Sequence, residues 1–204
     1  PRQSKKQKRS AWVPVTAVLL ALALAGTVLF SAFREKIDRW EYPQRYEAYV
    51  EYYAGKYGID PMILYAFIRT ESNFDPNATS HAGARGLMQI TPDTFDWLQT
   101  KLREGVPYTA DDLYTPRVNI RYGCKFLQIL QDKYSEQTTA LSAYNAGIGT
   151  VNNWLSNPDV SQDGVELDRI PYPETERYVN AVLQNYHKYR ELYEFDEIGG
   201  TFHG

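Results

Sequence analysis

Residues 11–33, AWVPVTAVLLALALAGTVLFSAF, hold no charged side chain in 23 positions. This run constrains the chain most, because about 20 apolar residues are enough to cross the hydrocarbon core of a bilayer as a helix. A helix buried in a soluble domain rarely stays uncharged for so long. Arg2, Lys5, Lys6, Lys8 and Arg9 stand just before it. By the positive-inside rule they predict residues 1–10 as a basic cytoplasmic tail and residues 11–33 as a single membrane anchor. Everything after the anchor is then expected on the outer face of the cell membrane, on the cell-wall side. A cleaved signal peptide is the alternative, since Ala23-Leu24-Ala25 before Gly26 offers a small-residue cleavage site. The run continues past that point through Val28, Leu29, Phe30 and Phe33, which favours the anchor.

The basic cluster also hides the charge of the remainder. The 204 residues carry a formal net charge of −3, but those after residue 33 hold 17 basic and 25 acidic side chains, a net of −8. An acidic body argues against nucleic acid as a partner. Cys124 is the single cysteine, so an intramolecular disulfide cannot form and stability must come from packing. Tyrosine, with 17 copies, suits a wet groove, although half-buried packing explains it equally well.

Beyond the anchor the patterns are helical. Residues 34–42 read either as a continuation of the anchor helix or as a spacer, and residues 43–193 as one all-α domain, followed by a flexible tail at 194–204. Tyr46, Tyr49, Val50 and Tyr53 recur at helical spacing and predict a helix from Pro43 to Tyr57, closed by Gly58. Asp60 and Pro61 suit the start of the next, Pro61 to Ser72. A loop follows over Asn73 to Gly86. Thr91-Pro92 opens a helix to about Arg103, and Glu104 to Tyr114 is expected to be a polar connection. Thr115-Pro116 opens a long helix with Val118, Ile120, Tyr122, Phe126, Ile129 and Leu130 on its core side. Short helices are expected over Gln137–Tyr144 and Thr150–Leu155, an irregular loop over Ser156–Pro173, and a last long helix over Glu174–Leu192. Tyr178, Val179, Val182, Leu183 and Tyr186 would face inward from it. No alternating run demands a sheet.

The Pro61–Thr70 segment, PMILYAFIRT, is apolar nearly all round and ends in a carboxylate. Glu71 stacks over Phe67 and Ile68, with Leu64 a further turn back. Burial disfavours the charged form and raises the pKa, which suits a group that must donate a proton near neutral pH. Taken alone, a helix-end Glu more often reaches water. Other chemistries lack support: there is no P-loop, no GxGxxG and no GxSxG. His81, His187 and His203 are scattered, so neither a metal site nor a Ser/His/Asp triad has local backing, and no cofactor is expected. What remains is acid catalysis by a carboxylate beside a loop rich in Gly, Ser and Asn. Glycoside cleavage fits, but usually takes two carboxylates. The nearest second one, Asp75, precedes Pro76 in a turn. If Glu71 has no carboxylate partner, the substrate must supply its own nucleophile, as an N-acetyl group or a free hydroxyl can.

Glu71-Ser72, then Ser80-x-x-Gly83-Ala84-x-Gly86-Leu87-Met88-Gln89, then Ala143-Tyr144-Asn145-Ala146-Gly147, then Glu174-Thr175-x-x-Tyr178-Val179 resemble, in this order, the soluble lytic transglycosylase family. The resemblance covers about Tyr46 to Tyr189. It implies the lysozyme-like, goose-type helical fold. It also implies cleavage of the β-1,4 bond between N-acetylmuramic acid and N-acetylglucosamine in peptidoglycan glycan strands, without water: the muramyl C6 hydroxyl attacks C1 and leaves a 1,6-anhydro ring. Glu71 matches the family's single catalytic acid, which then acts as base. By the same resemblance Ser72 and Ser80 sit close to the site and Met88 and Gln89 line the sugar groove. Tyr144 and Asn145 lie near the carboxylate, and Tyr178 faces it from the last helix. Read from the residues alone, Met88 is equally a core side chain, Ser72 a helix cap, Tyr178 part of an apolar stripe and Glu174 a loop anchor. A hydrolysing lysozyme and a non-catalytic glycan-binding module stand as the alternatives. Nothing in the sequence names a protein partner, and the Ser156–Pro173 loop has no match in the family pattern.

Overall fold

The computed structural model describes residues 12–102 and 108–199. The basic tail expected at residues 1–10, the expected helix end at Arg103 and the last residues of the expected tail lie outside the described residues. The chain divides into two units, residues up to Pro43 and residues from Gln44 onward.

The first unit is a helix, α1 (Trp12–Glu41), so residues 34–41 continue the apolar segment as helix. Within Ala17–Glu41 an 18-residue segment has a mean hydropathy of 2.0, and the helix is long and apolar enough to cross a membrane. Apolar side chains from Val18 to Phe33 are exposed. Thr27 and Ser31 donate their hydroxyl protons back to the Leu24 and Val28 carbonyls at 2.8 and 2.9 Å. Both hydroxyls are thus satisfied within the helix, as they would have to be in hydrocarbon.

The second unit is all-α. Its helices are α2 (Glu47–Tyr57), α3 (Pro61–Ser72), α4 (Pro92–Leu102), α5 (Pro116–Lys133), α6 (Gln137–Ala146), α7 (Ile148–Leu155) and α8 (Pro173–Gly199). The centre is α3. Its start is set by Asp60, whose Oδ1 accepts the Met62 N–H at 2.8 Å, and by Pro61 in the first turn. Ile63 to Ile68 are all buried, so the helix has no solvent face over that stretch. Each large side chain there contributes about 1.5–3 kcal/mol by leaving water. Along one side α8 runs antiparallel to α3. Tyr186 donates to Asp60 at 2.7 Å, Asn185 to Thr70 at 2.9 Å and Tyr178 to Glu71 at 2.5 Å, while the Tyr65 and Tyr189 rings stack at 5.5 Å. Against the rest of the core stand α2 and α5, with α6 between α5 and α8.

Several expectations need correction. Helix α2 begins at Glu47, not Pro43, because Tyr46 takes a left-handed conformation (φ 62°) that a continuing helix cannot contain. Its buried stripe is Val50, Tyr53, Ala54 and Tyr57, and Tyr49 faces solvent. Within the polar connection after α4, Ala110–Tyr114 adds a 3-10 turn in which Asp112 accepts the Thr109 N–H. Neighbours on several sides of α5 bury Asn119, Gly123, Cys124 and Leu127 as well, while Ile129 is only half-buried. Helix α8 extends to Gly199, past the end expected at Leu192. Among the described residues strand-like pairing is confined to isolated bridges, Thr79 with Arg85 and Arg85 with Ile90.

Candidate active site

The loop after α3 is made by its backbone angles. Asn73 (φ 48°) and Phe74 (φ 65°) are both left-handed, and their N–H groups bond to the Arg69 and Ile68 carbonyls, closing the helix directly behind Glu71. A bulky residue at such a φ is strained. The buried Phe74 ring holds it there. Further on, Arg85 and Ile90 exchange backbone hydrogen bonds at 3.0 and 3.2 Å, and Gly86 N–H reaches the Ala78 carbonyl at 2.9 Å.

At the centre of this loop lies the side chain of Asn119, fully buried. Its Oδ1 accepts the Met88 N–H at 2.7 Å, and its Nδ2 donates to the Arg85 and Leu113 carbonyls, both at 2.8 Å. These partners fix which end of the amide is oxygen. Gly86 is required here (φ 72°): a Cβ on it would collide with the Leu113 carbonyl and the Asn119 amide.

Glu71 is half-buried at the end of α3. Its Oε1 accepts the Tyr178 hydroxyl at 2.5 Å. Burial raises its pKa from an ordinary 4.5 to about 7, while the Tyr178 hydrogen bond pulls in the other direction. No second carboxylate contributes to that shift. Beneath Glu71, Phe67 makes edge contacts with the Tyr144 and Tyr178 rings at 4.8 and 6.4 Å. Burial, then the neighbouring Glu71, pushes both phenols well above their ordinary pKa, so they stay neutral donors. Tyr144 donates its proton to the Met88 carbonyl at 2.7 Å. The arrangement can give and take one proton at a poorly hydrated carboxyl. Among the described residues no group of three or more His, Cys, Asp or Glu side chains could hold a metal ion.

The structure brings Glu71, Tyr178, Tyr144 and the Leu87–Gln89 backbone together, and it revises several expected side chains. Met88 is fully buried with its sulfur against Gly123, so its side chain belongs to the core and only its backbone takes part in the site. Ser72 is a strut: its hydroxyl lies 3.1 Å from the Ile68 carbonyl and 2.8 Å from that of Leu87. Ser80 is exposed, and its hydroxyl takes the Ala84 N–H at 3.1 Å, holding the turn around Gly83. Gln89 (φ 46°) spends its side-chain amide on the Gly86 and Ala78 carbonyls at 2.9 and 3.2 Å. Asn145 is exposed, with its Oδ1 bound by the buried Thr175 hydroxyl at 2.9 Å. Glu174 is exposed on the first turn of α8. Asp75 caps its own turn by accepting the Asn77 N–H at 2.9 Å. Sequence reasoning missed Asn119; the signal available was a lone amide between Val118 and Ile120 on a core helix. A hollow of about 700 Å³ lies apart from these residues, among Gln131, Tyr134, Asn152 and Gly164.

A family model described as the transglycosylase SLT domain matches residues 48–164. The chain belongs to the SLT transglycosylase family. The match spans the Glu71 helix, the Asn119 clamp and Tyr144, but ends before the α8 helix that carries Tyr178. A protein named membrane-bound lytic murein transglycosylase C from Histophilus somni is 39% identical to this SLT domain chain over 118 residues, 53% of this chain and 32% of that protein. Its namesake from Haemophilus influenzae is 40% identical over 114 residues, 51% and 32% of the two chains. This chain therefore spans about a third of the length of the curated relatives it matches. Among solved structures, the 70-kDa soluble lytic transglycosylase of Escherichia coli superposes with a TM-score of 0.66 at 28% identity, over 76% of this chain and 25% of that one. An inactive mutant of the lytic transglycosylase Slt from Pseudomonas aeruginosa gives 0.63 at 31% identity, over 74% and 24%. The SLT fold is shared with both.

Proposed function

We propose that this SLT chain is a membrane-anchored peptidoglycan lytic transglycosylase. The observation that carries the reading is Glu71 itself. It is a poorly hydrated carboxyl with a pKa near 7, held by one phenol and shifted by no second carboxylate. Such a group is half protonated near neutral pH and can serve as acid and then as base. In the first step Glu71 gives its proton to the glycosidic oxygen between N-acetylmuramic acid and N-acetylglucosamine, and the bond from that oxygen to the muramyl C1 breaks. In the second, the muramyl C6 hydroxyl forms a bond to C1 and returns its proton to the Glu71 carboxylate. Protons balance, no water is consumed, and the product is a 1,6-anhydro end. Tyr178 steadies the carboxylate between the steps by donating to it. The free amide nitrogen of Asn145, the Gln89 backbone and the exposed Ser80 turn are assigned to the sugar groove, with Ser72 and the Met88 carbonyl holding its wall.

The curated relatives are named membrane-bound lytic murein transglycosylases, and murein is peptidoglycan. Another matched solved structure is a complex of the 70-kDa soluble lytic transglycosylase with bulgecin A. Helix α1 supplies an apolar segment of sufficient length to anchor the chain. With the basic residues before it facing the cytoplasm, the SLT domain works on the cell-wall side. The test is digestion of purified peptidoglycan by the full chain in detergent: wild type releases soluble muropeptides and Glu71→Gln does not. Release by Glu71→Gln at the wild-type rate would overturn the assignment of the acid.

A further inference from the structure

The Asn119 amide touches nothing that could be substrate, yet its hydrogen bonds end one step from Glu71. It holds Met88 N–H, and it ties that peptide to the Arg85 and Leu113 carbonyls. Gly123 gives the Met88 side chain its space from the same helix, α5. The carbonyl of the residue so fixed is the acceptor for the Tyr144 hydroxyl. A phenol has one proton. While Tyr144 gives it to Met88, it has none to give Glu71, and the carboxyl keeps Tyr178 as its donor. The charge of Glu71 is felt at the neutral Tyr144 phenol, and the Tyr144 and Tyr178 rings both rest on Phe67.

We propose that Asn119 is a positioning residue for the reaction: it pins the Met88 carbonyl, which occupies the Tyr144 proton and so leaves Glu71 with a single phenol donor. The proposal rests on Glu71 being the catalytic acid. Releasing the Met88 peptide would free Tyr144 to turn its proton toward the Glu71 carboxylate. A second donor would favour the charged form and lower the pH above which the acid is lost.

The experiment is the pH profile of muropeptide release by the full chain in detergent. Asn119→Ala is expected to move the alkaline limb down by about one pH unit, the worth of one hydrogen bond to a charged group. In the double variant Asn119→Ala/Tyr144→Phe the limb returns to its wild-type position, because phenylalanine has no proton to give. Loss of packing alone would lower rates without this return. Tyr144→Phe alone, which leaves the clamp intact, keeps the wild-type limb. An upward shift in Tyr144→Phe would show that Tyr144 already donates to Glu71 and would overturn the proposal, even if Asn119→Ala failed to fold. An unmoved limb in a folded Asn119→Ala would overturn it too. Failure of the underlying reading looks different: there Glu71→Gln would retain activity, whatever Asn119 does.

Discussion

The Tyr178 hydroxyl meets the Glu71 carboxyl at 2.5 Å across 107 residues of chain. Two opposed influences act on one group: burial raises its pKa, and this phenol lowers it. Removing the phenol leaves only burial. Tyr178→Phe should therefore move the alkaline limb of the pH–rate profile upward by about one unit, opposite in sign to Asn119→Ala. A steady-state profile of muropeptide release measures it.

The same pKa predicts a stability signature. Folding raises the Glu71 pKa from 4.5 to about 7, so between those values the folded state holds the proton more tightly than the unfolded chain. Stability falls as pH rises through that window and then levels, by at most about 3 kcal/mol. Glu71→Gln removes the titrating group. Its Tm should match wild type well below pH 4.5 and exceed it above pH 7, in thermal unfolding followed by circular dichroism.

Two glycines of the clamp should rank in a fixed order. Alanine at Gly86 meets a backbone carbonyl and a buried amide at positive φ, where nothing can move aside. Its cost should exceed about 3 kcal/mol. Alanine at Gly123 meets the flexible Met88 side chain and should cost less, about 1–3 kcal/mol. Denaturant unfolding of the two variants checks the order.

How much of this was legible in the residues depends on where each partner sits in the chain. Helix α3 is legible because its signals are local: Asp60 and Pro61 start it, the apolar run buries it, and Glu71 follows at a readable spacing. The start of α2 is not, because nothing in the type of Tyr46 announces a left-handed backbone. Asn119 escapes for another reason. Its partners are main-chain groups up to 34 residues away, which leave no trace in residue type. Met88 shows the limit of the resemblance, which brings the residue to the site without saying that its backbone faces Glu71's neighbours while its side chain fills the core.

The anchor makes a separate prediction. The full chain should float with phospholipid vesicles and stay with them in alkaline carbonate, which strips surface-bound proteins. A chain truncated before Gln44 should remain in solution. Vesicle flotation in a density gradient distinguishes the two.

The central claim is that Glu71 works without a second carboxylate because the substrate supplies its own nucleophile. The most direct measurement digests purified peptidoglycan with the full chain in water enriched in heavy oxygen and determines the new glycan ends by mass spectrometry. The account predicts 1,6-anhydro ends that carry no heavy oxygen. Reducing ends that carry it would mean that water attacks C1, and would contradict the account.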